Sequence, residues 1–177
     1  AVALGYDTTK ASALVGVVAV GTAVGAVWAS MKMQLDRATA VIPLGVGMGV
    51  LVLGMNFLRD VELTIPFMIL LGGLGGFLVV PMNALLQHRG HNLMGAGRSI
   101  AVQNFNEQAC ILALGALYAG LTTAGLSAYG AITAFGLVVA GTMALIGLWH
   151  RHNAKHHAQE LERLLEIARN DAHHATL

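Results

Sequence analysis

Hydrophobic positions run along this chain in long blocks of about 20 residues, separated by short polar clusters. The clusters read KMQLDR, RDVEL, QHRGHNLMGAGR and GLSAYG. A run of that length crosses ~30 Å of hydrocarbon at about 1.5 Å per residue. The pattern predicts five spans, over 9–31, 38–58, 65–86, 99–124 and 131–149. A polar, histidine-rich tail follows over 150–177. The predicted fold class is therefore all-α, a polytopic membrane helical bundle.

Composition agrees with this reading. Of 177 residues, 56% are hydrophobic and 11% are charged. A soluble domain is ordinarily about a quarter charged. The net charge of +1 says little, but its distribution orients the bundle. Lys32, Arg37, Arg89, Arg98, Arg151, Lys155, Arg163 and Arg169 fall on one side, and only Lys10 and Arg59 on the other. That asymmetry places the first and third loops and the tail in the cytoplasm. Trp28 and Trp149 then sit at the cytoplasmic ends of their spans, where an interfacial aromatic is at home. Five spans with an outer N-terminus predict that a further helix precedes Ala1, so the chain reads as the C-terminal part of a longer protein. A genuine five-span protein with a translocated N-terminus is the alternative.

Within the spans, Gly21 and Gly25, Gly45 and Gly49, and Gly72 and Gly76 are each spaced by one helical turn. Such stripes let another backbone approach closely. Pro43 and Pro81 lie inside predicted spans and should bend them. Pro66 is at a span start, where proline is tolerated. Cys110 is the only cysteine, so no intrachain disulfide forms. It reads as a small packing residue.

One polar stretch breaks the pattern. QNFNEQ, residues 103–108, lies inside the fourth apolar block. Counting from Ser99, Glu107 falls roughly 12 Å into the hydrocarbon. A carboxylate facing lipid there costs at least ~2.5 kcal/mol, so Glu107 faces protein or a wet cavity. Gln103 lies one turn before it, and Asn104 and Gln108 pair on the adjacent face. The polar band covers a broad sector and suits the wall of a hydrated pocket. A structural pin is the competing role for Glu107. Asn83, with Gln87 a turn later, suits a pocket rim or interfacial solvation, and Asn56 reads as interfacial.

In the tail, His152 and His156 are one turn apart, but no nearby Cys or carboxylate completes a metal site. No cofactor is expected. Leu161, Leu164, Leu165 and Ala168 form an apolar stripe, for packing on the cytoplasmic face or lying on the membrane surface. No hydrolase or zinc-enzyme motif occurs, and no basic stripe suits nucleic acid. The chain does not read as an enzyme.

The string VVPMNALLQHRGHNLMGAGRSIAVQNFNEQ, residues 79–108, resembles the lysophospholipid transporter family of the major facilitator superfamily. Pro81, Asn83, Gln87, Gly95, Gly97, Gln103, Asn104 and Glu107 fall on that family's pattern. Asn106 departs from it, since glycine is common there, and so does the long tail. The resemblance implies a partial major facilitator fold, spans eight to twelve of twelve. It implies movement of lysophospholipid, chiefly lysophosphatidylethanolamine, from the outer to the inner leaflet of the bacterial inner membrane. It further implies an N-terminal half absent from this chain and a cytoplasmic acyltransferase/acyl-carrier synthetase as partner. Gln103, Asn104, Glu107, Asn83 and Gln108 are the expected substrate-binding residues. Two other functions fit the sequence: a major facilitator for another solute, such as a drug or cation, with Glu107 as proton carrier, and a truncated membrane protein without transport.

Overall fold

The computed structural model describes residues 8–58 and 60–174. Arg59 lies outside the described residues, as do the side chains of Lys10, Leu161, Ala168 and Arg169. Six α-helices make up the described chain, with no strand among the described residues: α1 (Thr8–Lys32), α2 (Ile42–Gly54), α3 (Val61–Met94), α4 (Ala96–Thr123), α5 (Ala128–His156) and α6 (Ala158–His174). Four stretches are long and apolar enough to cross a membrane, Ser12–Lys32, Arg37–Phe57, Glu62–Met94 and Ala128–His156. The chain is thus an all-α, polytopic membrane bundle. Helix α4, at 28 residues, is nearly as long as α5 at 29, but QNFNEQ keeps its mean hydropathy below that of α3 and α5.

Two helix pairs organise the bundle. Helix α1 lies along α3, and α2 along α5. Glycine permits both contacts. A Cβ at Gly21 or Gly25 would collide with the backbone of Ile69 or Gly73, and one at Gly72 or Gly76 with the carbonyls of Val18 or Thr22. In the second pair, a Cβ at Gly49 would lie 2.7 Å from Ala140 Cα, and one at Gly136 would lie 3.2 Å from the Gly49 carbonyl. Backbones in contact gain dispersion energy and pay little side-chain entropy, which suits association where lipid offers no hydrophobic drive. The expected glycine stripes are the seams of these pairs.

Most large apolar side chains point outward. Val15, Val24, Leu112 and Leu145 are among those more than half exposed in the isolated chain. In a soluble protein such a surface would be an association patch. In a bilayer it is surface for lipid or for neighbouring helices.

Two local features differ from the sequence reading. Pro43 does not bend the middle of a helix. It occupies the first turn of α2, directly after a 3₁₀ segment over Leu35–Val41. Its missing N–H is no loss in that first turn. The polar stretch after Leu86 is not an open loop but continues α3 to Met94, and Gly95 alone makes the break, with φ 83° and ψ 155°. At the other end of α3, Thr64 donates both its backbone N–H and its hydroxyl to the carbonyl of the N-cap residue Asp60.

The tail is kinked as well. Helix α5 runs to His156, and His157 (φ −127°, ψ 39°) separates it from α6. Helix α6 packs against the 3₁₀ segment at the end of the bundle. Leu165 of the expected apolar stripe is half-buried there, while Leu164 is 39% exposed.

Candidate functional site

Gly95 turns the chain back so that α4 starts beside the end of α3. Ser99 is buried, and its hydroxyl rests where a Cβ on Gly90 would be. This small-residue contact closes the foot of a groove between the two helices. Ser99 is the only buried residue of α4 among those described, so the helices share little contact beyond that foot and leave an open trough of about 460 Å³.

The two walls differ in chemistry. On α3 the lining is Val79, Asn83, Leu86, Gly90 and Met94. This wall is apolar except for the Asn83 amide. On α4 the lining is Ser99, Val102, Gln103, Asn106, Glu107 and Cys110. Gln103, Asn106, Glu107 and Cys110 follow i, i+3, i+4, i+7 spacing, which puts them on one helical face.

Hydrogen bonding engages only part of this wall. Asn106 donates its side-chain N–H to the Val102 carbonyl at 2.9 Å, so its donor serves its own helix. Gln103 is half-buried, and its Oε1 is buried with no hydrogen-bond partner. A buried amide oxygen without a donor forfeits about 1–3 kcal/mol. Glu107 adds a carboxylate that is exposed to the groove. No lysine or arginine lines the trough. The polar wall therefore accepts hydrogen bonds and attracts positive charge, while the facing wall accommodates hydrocarbon.

Of the residues expected from sequence, the structure brings together Asn83, Gln103 and Glu107. Asn104 and Gln108 do not line the groove and are exposed on α4. Asn106 and Ser99 line it and were not singled out. Helical spacing from Gln103 would have found Asn106. The role of Ser99 depends on the turn at Gly95 and on Gly90 opposite, which no single-helix pattern encodes. Cys110 is exposed on the groove, not packed. Gln87 is exposed and outside the groove.

Asn56 stands at the end of the Arg37–Phe57 stretch. Its side-chain N–H donates to Thr133 Oγ1 at 2.8 Å, tying the end of α2 to α5. Among the described residues no group of three or more His, Cys, Asp or Glu side chains could hold a metal. The rings of His152 and His156 lie in a tilted contact, with centroids 4.3 Å apart.

Fold and groove together define a multi-pass membrane protein with an amphipathic cleft between two of its helices. Comparison with known proteins gives the family. The chain is 37% identical over 154 residues to the lysophospholipid transporter LplT of Salmonella arizonae, covering 86% of this chain and 39% of that protein. It is 40% identical over 143 residues to LplT of an Enterobacter species, covering 81% of this chain and 36% of that protein. It is 35% identical over 153 residues to LplT of Shigella flexneri serotype 5b, covering 86% and 39%. The chain is a partial, C-terminal-like segment of the lysophospholipid transporter family. It spans well under half the length of these relatives. No protein-family model and no solved structure matches it.

Proposed function

We propose that this chain is part of a transporter that carries lysophospholipid, chiefly lysophosphatidylethanolamine, from the outer to the inner leaflet of the bacterial inner membrane. The observation that carries the reading is the pairing of walls in the α3–α4 groove. An acceptor-rich face bearing Gln103, Asn106 and Glu107 lies opposite an apolar face bearing Val79, Leu86 and Met94. A lysophospholipid has one acyl chain and, in the ethanolamine case, a primary ammonium. The exposed Glu107 carboxylate suits the ammonium, with Gln103 beside it, and the α3 wall suits the chain. Asn83 contributes at the boundary between the two. Asn104 and Gln108, on another sector of α4, would act through the remainder of the protein and not in this groove.

The relatives named as lysophospholipid transporters support the substrate class. Alternating access would rock this segment against an N-terminal half. The tail end of the bundle would face the cytoplasm, where an acyltransferase/acyl-carrier synthetase would reacylate the delivered lipid. A second reading has one observation in its favour. A groove with acceptors and no lysine or arginine also suits a cationic solute, with Glu107 carrying a proton.

The test is uptake of labelled lysophosphatidylethanolamine by spheroplasts lacking their own transporter. The full-length protein is compared with Glu107→Ala and Glu107→Gln at equal membrane levels. Uptake by the parent and its loss in both variants is the expected result. Equal uptake by all three would make Glu107 a structural residue. No uptake by the parent, with uptake of an organic cation instead, would favour the second reading.

A further inference from the structure

A second groove, of about 440 Å³, lies between the start of α2 and the end of α5, away from the transport cleft. Its body is apolar. Ile42, Val46, Met143 and Leu148 form the sides. Gly147 keeps it deep, since a Cβ there would already touch Ile42 Cγ2 at 3.5 Å. From Met143 to Arg151 the trough extends roughly 12 Å along α5. Its rim is of opposite character: His150 and Arg151 line the end nearest α6. Trp149, next to His150 in the chain, is 68% exposed. Lys32 and Arg37 lie exposed at the same end of the bundle. Glu160, across the α5–α6 kink, is 4.0 Å from His157.

We propose that this groove holds one acyl chain of an anionic phospholipid from the surrounding bilayer, with the headgroup phosphate on Arg151 and His150. The argument is charge and depth together. An apolar trough open along α2 and α5 takes hydrocarbon of any lipid. A guanidinium and an imidazole N–H at its mouth favour a phosphate headgroup with no cation of its own to offset it. The exposed indole marks the level of the headgroups. The occupant is a resident lipid and not cargo, because the groove contains none of the Gln103 and Glu107 acceptors of the α3–α4 cleft. The inference therefore stands apart from the transport reading.

Native mass spectrometry of the delipidated full-length protein tests it, with phosphatidylglycerol or phosphatidylcholine of identical chains added back. Phosphatidylglycerol should bind preferentially at one site, and Arg151→Gln should weaken it about fivefold, the share of one basic side chain at an anionic headgroup. Gly147→Leu should fill the trough and remove the site for both lipids. Inorganic phosphate should not compete. Equal retention of both lipids by the parent, or unchanged binding in Arg151→Gln, would overturn the proposal. Full competition by inorganic phosphate would also overturn it, because the groove would then play no part.

Discussion

Gly25 of α1 faces Gly73 of α3 so closely that a Cβ on Gly25 would occupy the position of the Gly73 carbonyl. Backbone has no rotamer with which to yield. Gly25→Ala should therefore separate the two helices and cost about 1–3 kcal/mol, the usual range for overpacking. Gly47 of α2 is the control, since nothing lies within 4 Å of its Cβ position. Gly47→Ala should be neutral or stabilising by up to about 1 kcal/mol, through helix propensity alone. Thermal unfolding of the purified protein in detergent separates the two outcomes.

The link between Asn56 and Thr133 makes a different prediction. Thr133 accepts from Asn56 and donates to the Tyr129 carbonyl at 2.8 Å, while Asn56 Oδ1 is buried without a partner. Thr133→Val should cost about 1 kcal/mol, because the Asn56 amide is then wholly unsatisfied. Adding Asn56→Leu should recover much of that loss, since removing both polar partners is cheaper than removing one. A double-mutant cycle read by denaturation in mixed micelles checks the sign of the coupling.

Cys110 reports on occupancy of the α3–α4 groove. In a full-length protein whose other cysteines have been replaced, a maleimide should label it readily. Lysophosphatidylethanolamine at ten times its Kd should slow labelling about tenfold. A cysteine placed at Asn104, with Cys110→Ala, should label at the same rate with and without the lipid.

Gly95 combines φ 83° with ψ 155°, a region that only glycine occupies without strain. Gly95→Ala should cost about 1–3 kcal/mol and misalign Ser99 with Gly90. Lower lysophospholipid uptake at a matched membrane level is the expected functional result, together with a lower unfolding midpoint.

Particular residues show what the sequence could and could not reveal. The apolar blocks located the helices, because crossing hydrocarbon demands length and apolarity before anything else. The glycine pairs announced close packing, but not that α1 would choose α3 and α2 would choose α5. That choice depends on shape across the bundle. QHRGHNLM looked like a loop because it is polar. It is helical because Gly90 keeps helical geometry and only Gly95 takes a positive φ, and polarity does not oppose helix formation outside hydrocarbon. At the candidate site, polarity alone led to Asn104 and Gln108 as readily as to Gln103 and Glu107. The 100° offset between successive residues separates the two pairs, and only the position of α3 decides which pair meets the groove.

The slight apolarity of α4 bears on how the protein enters its membrane. Amides and a carboxylate near the middle of a helix make solitary partitioning from the translocation channel unfavourable. Helix α3, apolar over Glu62–Met94 and joined to α4 through a single glycine, supplies the missing drive. The two would leave the channel as one hairpin, with the groove face of α4 turned toward α3 from the moment it meets lipid. Biogenesis and cargo recognition would thus depend on the same face.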